Sequence, residues 1–157
     1  MNELDDLYKN FLCAWKTTYH VSNSISEEYD VNMQNPRGVS PLQYVSKYGN
    51  MDSCKLLVQN GANVNTQDHK GNTPLHHACK YYNSKIVRFL VKNGANINFQ
   101  NNKDETPLYI AADRCDLDTF VFLVENGADL NILNHNGEIP MKKRFKGLSN
   151  VTLHMLT

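Results

Sequence analysis

The landmarks of this chain return every thirty-three residues. Ser40-Pro41-Leu42, Thr73-Pro74-Leu75, Thr106-Pro107-Leu108 and Ile139-Pro140-Met141 stand in step. Between them, in the same step, fall the runs Asn60 to Asn65, Asn93 to Asn98 and Asn126 to Asn131. Self-similarity at one period of this size means stacked supersecondary units, none of which can bury its apolar face alone. A stack of that kind offers an extended surface rather than a closed pocket, so the repeat points first to binding.

One unit can be read as physics from Asp68 to Gln100. Asp68 and Gly71 frame a tight turn, the Asx side chain bonding the backbone and the glycine permitting positive φ. Thr73 stands where a helix wants its N-cap, and Pro74 follows at the first helical position with φ already set. Leu75 and Ala78 make a short apolar face. Asn83 is a second N-cap, opening a helix that carries Ile86, Val87, Phe89, Leu90 and Val91, and Gly94 ends it. The remainder, to Phe99, leads outward into the next turn. Asn50, Asp116 and Ser149 occupy the second N-cap position of the other units. Leu57, Leu90 and Leu123 form one core ladder, Val58, Val91 and Val124 another, and Leu56, Phe89 and Phe122 a third.

At 157 residues the chain suits a single domain with a real core. Its formal net charge of zero gives no global pull towards nucleic acid or anionic membrane. No apolar run suggests a secretory signal or a membrane span. Cys13, Cys54, Cys79 and Cys115 form no CxxC pair, which suits reduced, mostly buried thiols in the cytoplasm or nucleus. Lysine outnumbers arginine twelve to four and asparagine is abundant, the bias of an AT-rich genome such as that of a virus or intracellular microbe.

Thr73-Pro74-Leu75-His76-His77-Ala78 and Gly94-Ala95-Asn96-Ile97-Asn98 closely resemble the signature of the ankyrin repeat family. The resemblance covers three full repeats, 35–67, 68–100 and 101–133, with a truncated cap repeat over 134–157. It implies an all-α solenoid of antiparallel helix pairs joined by outward hairpins, with no enzyme activity and no cofactor. Residues 1–34 read as a divergent N-terminal cap. Leu4, Leu7, Tyr8, Phe11, Leu12, Trp15 and Tyr19 keep a helical rhythm there, while Val21 to Glu28 suits an irregular or short helix. Viral members of the family often carry an F-box-like C-terminal segment. The truncated last unit leaves no room for one before Thr157, which suits a stand-alone binder or a piece of a longer protein.

Chemistry has little to build on. His76 and Cys79 share a helix face at i, i+3, but two ligands do not make a zinc site and no base or orienter is apparent. The family pattern has His76 tying the turn and Cys79 filling a small packing position. No phosphate loop, HExxH or GxSxG occurs. Lys142-Lys143-Arg144-Phe145-Lys146 is the one basic run. It is either a solvated face of a cap helix or a contact for nucleic acid, anionic lipid or a nuclear import receptor.

The resemblance implies binding of a folded protein through the concave face and the hairpin tips. Carried onto this chain, the first-helix positions are Lys47, Tyr48, Lys80, Tyr81, Asp113 and Arg114. The turn positions are Arg37 and Val39, Lys70 and Asn72, and Lys103 and Glu105. A Lys-Tyr pair repeated in step reads either as an aromatic stripe edged with positive charge, suited to an acidic or mixed partner surface, or as solvated decoration. Tyr82 and Cys115 stand where Gly49 stands and where the family usually has glycine. Either the backbone adjusts there or Tyr82 extends the stripe. The family also contributes acceptor positions for an asparaginyl hydroxylase at Asn65, Asn98 and Asn131, though an asparagine there equally serves to close its own turn. The expected action is occlusion or scaffolding, in a host cell if the source is a virus or pathogen.

Overall fold

The computed structural model describes residues 30–140, which hold six helices in three consecutive pairs. The pairs are α1 (Pro41–Tyr48) with α2 (Met51–Gln59), α3 (Pro74–Lys80) with α4 (Ser84–Lys92), and α5 (Pro107–Asp113) with α6 (Leu117–Glu125). Links of two or three residues force the two helices of a pair to run antiparallel. The first helices pack in one row, α1 on α3 on α5, and the second helices in another, α2 on α4 on α6. No strand occurs among the described residues. The helix expected near the N-terminus, the irregular stretch expected over Val21–Glu28, Ser149 and the Lys142 to Lys146 run lie outside them.

Each first helix opens as its sequence dictates. Ser40, Thr73 and Thr106 take extended φ, and their side chains accept the backbone N–H of Gln43, His76 and Tyr109. Proline follows at the first helical position each time. The third residue after each cap varies in kind but not in task. The Gln43 amide donates to Asn72 O at 2.6 Å, the His76 ring meets Glu105 O at 3.0 Å, and the Tyr109 hydroxyl donates to the Glu138 carboxylate at 3.1 Å. Three different side chains thus reach twenty-nine residues forward to pin the next hairpin.

The second helices follow the caps only in part. Asn50 and Asp116 accept the N–H of Ser53 and Thr119. Asn83 starts α4 but makes no side-chain cap. Its amide instead donates to Ser46 O at 2.7 Å and Lys47 O at 3.0 Å, carbonyls at the end of α1 in the preceding repeat. Those carbonyls lie in the last turn of α1, which leaves them without intrahelical partners.

Leu57, Leu90 and Leu123 are fully buried, with Leu42, Leu75 and Leu108 as the matching ladder of the first helices. The Val58, Val91 and Val124 column is only half-buried, and in the third column Phe122 alone is buried. Those two columns line the border of the second-helix row, where the described residues add no further layer. Arg88 covers part of that border, its guanidinium 4.4 Å from the Phe122 ring centre and 3.2 Å from the Asp118 carboxylate. Cys54 and Cys79 are buried free thiols, and Cys115 is exposed.

The hairpins carry most of the polar stitching. Asn35, Asp68, Asn101 and Asn134 each accept two backbone N–H groups of their own tip through one side-chain oxygen. Neighbouring tips join by single backbone bonds, from His69 N–H to Arg37 O, Asn102 N–H to Lys70 O and His135 N–H to Lys103 O. Gln34, Gln67 and Gln100 form a further column, each amide bridging its own tip to the next repeat. At the base of the hairpins, Asn32, Asn65 and Asn98 accept the N–H of Asn63, Asn96 and Asp129 in the following repeat. They therefore clip repeat to repeat rather than closing their own turn. That turn is closed by the Asx two residues earlier, as when Asn63 accepts the N–H of Asn65.

Candidate binding groove

Two clefts run between the hairpins and the exposed ends of the first helices. The first, about 300 Å³, lies between the first two full repeats and is lined by Arg37, Tyr44, Lys47, Tyr48, Lys70 and Tyr81 among others. The second, about 460 Å³, lies one repeat further on, with Lys70, Lys80, Lys103, Glu105, Asp113 and Arg114 on its walls. Lys70 and Lys80 line both, so the two clefts adjoin along the stack and together make up the groove.

Lys47 organises the first cleft. Its ammonium sits 4.8 Å from the centre of the Tyr48 ring and 5.2 Å from that of Tyr81, one repeat away. Tyr44 backs Tyr48, their ring centres 4.5 Å apart. Interaction with Tyr48 raises the Lys47 pKa, partial burial opposes it, and Tyr81 adds to the rise. The charge is therefore held in place between two aromatic faces. Tyr48 and Tyr81 remain 60% and 41% exposed, large apolar area left open to a partner.

His77 and Asp68 meet on the wall of the same cleft, His77 Nε2 standing 2.9 Å from Asp68 Oδ2. Burial pushes the Asp68 carboxyl up, but the His77 contact and the N–H groups of Asn72 and Lys70 outweigh it and hold the carboxyl below its usual range. His77 Nδ1 is buried without a partner, so the pair is a wall element rather than an accessible proton-transfer dyad. His76 lies deeper still. Thr73 N–H donates to its Nδ1, which leaves Nε2 to carry the proton and donate to Glu105 O. Burial, helped by the charge of His77, drives the His76 pKa down to about 4. Burial likewise raises the Cys79 thiol far above its normal range and Cys54 to about 11, leaving both unreactive. Among the described residues no group of three or more His, Cys, Asp or Glu is placed to hold a metal ion.

The groove unites nine of the ten partner-contact residues named from the sequence. Arg37, Lys70 and Lys103 stand on the hairpins, while Lys47, Tyr48, Lys80, Tyr81, Asp113 and Arg114 stand on the helix ends. Tyr82 is the exception. It does not extend the stripe but lines a separate depression with Met51, Asn83 and Ile86. Its hydroxyl donates to Arg114 O at 3.2 Å, bracing the loop of the next repeat. The backbone does not adjust to spare it: Tyr82 takes φ 61°, Cys115 φ 58°, where Gly49 has φ 78°. Tyr44 and the Asp68–His77 pair escaped the sequence reading. Tyr44 lies four residues before Tyr48, one turn down the same face, and that spacing was the available signal.

Asn65 and Asn98 are tied at both ends of their amides, donating to Gly94 O and Gly127 O while accepting the next repeat's N–H. Asn131 has no such side-chain bond among the described residues, and only its backbone N–H is engaged, by Asp129.

Paired antiparallel helices, outward hairpins and a groove between them define a repeat solenoid built to present a surface. A family model described as ankyrin repeats (3 copies) matches this chain over residues 11–101 and 60–134. The chain belongs to the ankyrin repeat family, whose repeats are generally protein–protein interaction modules and not enzymes. No curated protein matches it. No helix among the described residues is long and apolar enough to cross a membrane.

Proposed function

We propose that this protein binds a folded partner protein through the concave groove and acts by occlusion or scaffolding. The observation that carries the reading is the Tyr48–Lys47–Tyr81 cluster. It joins two repeats into one partly exposed aromatic surface around a fixed cation. Aromatic area anchored this way commonly dominates interface energetics, since little freedom remains to be lost on binding. The setting proposed is the cytoplasm or nucleus, in a host cell if the protein is viral or pathogen-derived.

Capture of partners from lysate, followed by titration of the recovered partner, tests the reading. Tyr48→Ala with Tyr81→Ala should weaken binding by about 2 kcal/mol or more if either ring is an anchor. Stability should change by only about 0.5 kcal/mol per site. Substituting Lys142, Lys143 and Lys146 should leave binding intact. Binding abolished by the lysine changes and untouched by the tyrosine pair would move the site to the C-terminal run. Steep loss of affinity with salt would then point to nucleic acid or anionic lipid.

The asparagine positions carry a lesser proposal. Exposure to an asparaginyl hydroxylase should modify Asn131 ahead of Asn65 and Asn98, whose amides are held by neighbouring repeats. Mass spectrometry finding all three unmodified removes the idea.

A further inference from the structure

Charge is unevenly placed on this neutral chain. Residues 30–140 carry ten Lys and Arg against eleven Asp and Glu. Yet six of those ten cations line the groove, namely Arg37, Lys47, Lys70, Lys80, Lys103 and Arg114. Only three acids accompany them: Asp68, which meets His77, Glu105, which accepts the Asn101 amide, and Asp113. The ion pairs among the described residues are His77–Asp68, Arg88–Asp118 and His135–Asp104, so none of the six groove cations is neutralised by one. Six like charges in two clefts repel one another unless an anionic partner arrives.

The cations form two rows. Arg37, Lys70 and Lys103 follow one another at the repeat period along the hairpins, and Lys47, Lys80 and Arg114 run along the helix ends. The hairpin row has a fixed pitch, because the backbone bonds from His69 to Arg37 and from Asn102 to Lys70 join its members. In the other row Lys47 is held by its two tyrosines. Stacked helices lie about 8–10 Å apart, which sets the step from one cation to the next. A chain in the extended polyproline II conformation advances about 3.1 Å per residue with three residues per turn, so every third side chain points the same way and keeps pace with the repeats. A helix, about 10–12 Å across with its side chains, would ride on the rims instead of entering.

We propose that the element of the partner seated in this groove is an extended acidic segment with Asp or Glu at about every third position. Its backbone lies along the stack between the two rows of cations. The inference rests on the protein-binding reading above and narrows it to a partner class. Single-stranded nucleic acid fits less well. Such strands carry a charge at every nucleotide, whereas a peptide can space its carboxylates to match the cations. Glu105 and Asp113 on the groove walls also oppose a continuous phosphate chain.

Selection of random peptides of about 12 residues, long enough to span the three full repeats when extended, on the 157-residue chain tests this. Recovered peptides should be acidic, with carboxylates about three apart. Their affinity should fall about tenfold or more with Lys47→Gln plus Lys80→Gln, and again with Arg37→Gln plus Lys70→Gln. Lys55→Gln plus Lys92→Gln removes the same charge away from the clefts and should change affinity by less than about twofold. Circular dichroism melts of all three variants should match the parent, since these side chains are not core. Neutral or basic peptides that still depend on Tyr48 and Tyr81 would overturn the acidic segment and leave the concave-face reading standing. Peptides indifferent to every groove substitution, or no peptides at all, would overturn both. An oligodeoxythymidine that displaces the best peptide from the groove would overturn the acidic segment in favour of nucleic acid.

Discussion

At the scale of single residues, buried polar side chains decide more than the apolar ones do. His76 is 1% exposed and neutral, because Thr73 N–H already occupies the lone pair that a second proton would need. Its folded pKa, about 4, lies below the ordinary 6.5. The unfolded chain therefore binds more protons between those values. The stability from this site is complete above about pH 6.5 and drains away as pH falls towards 4, on the order of 3 kcal/mol in all. Asp68, with its lowered pKa, adds a second loss below the ordinary carboxylate value of 3.8. Gln43 performs the His76 bridge with an amide that does not titrate in this range. His76→Gln should thus fold normally and flatten the stability profile between pH 6.5 and 4, as read by chemical denaturation at several pH values. An unchanged slope would show that His76 is not the group responsible. Cys115 offers the opposite case, an exposed residue at φ 58° with no thiol contact to lose. Cys115→Gly should raise stability by about 1 kcal/mol, the cost of left-handed backbone for a residue with a Cβ. Tyr82→Gly should return less, because the hydroxyl bond to Arg114 O is lost with the ring.

At the scale of elements, no helix here could stand alone. The six run from seven to nine residues, below the length at which isolated helices persist in water. Their ends are held by their own caps or by a neighbouring repeat, and Asn83 exemplifies the second case. Its removal leaves Ser46 O and Lys47 O without their donor, so Asn83→Ala should cost about 1–2 kcal/mol through coupling between repeats. Asn50→Ala should cost about 1 kcal/mol through loss of a cap. Amide hydrogen exchange separates the two mechanisms. Asn83→Ala should loosen the end of α1 as well as the start of α4, whereas Asn50→Ala should loosen α2 alone. Asn83→Ala affecting only α4 would restore the simple N-cap reading.

At the scale of the molecule, stability passes from neighbour to neighbour. The leucine ladders run through all three described repeats, and the asparagine, glutamine and backbone bonds of the hairpins follow the same direction. Leu90 lies at the centre of its ladder, fully buried between α2 and α6. Leu90→Ala should cost 2–5 kcal/mol by opening a cavity. Protection should then fall in α2 and α6 as well as in α4, since each repeat depends on the interface it shares. Protection lost from α4 alone would contradict that coupling. A stack so built keeps its groove only while the repeats stay in register. The charge rows and the Tyr48–Lys47–Tyr81 cluster are therefore properties of the assembled solenoid, absent from any one repeat.

The thirty-three-residue period, the Thr-Pro caps and the leucine ladders were legible in the sequence because each is a local or periodic demand. A cap must precede its helix, and a buried column must recur once per unit. The same logic named nine residues of the groove, since residues at one phase of the period share one face. What escaped were pairings across repeats. Asn83 has the composition of a cap, yet it bonds a carbonyl pair thirty-six and thirty-seven residues back. Asn65 and Asn98 look like turn residues and act as clips on the following repeat. Tyr82 sits beside Tyr81 in the chain, but its left-handed backbone turns the two rings onto different surfaces. The Asp68–His77 contact likewise joins a hairpin to a helix across nine residues with no repeat to announce it. A hydrogen bond is chosen by which unpaired donor and acceptor the packed repeats bring within 3 Å or so, and only tertiary structure decides that.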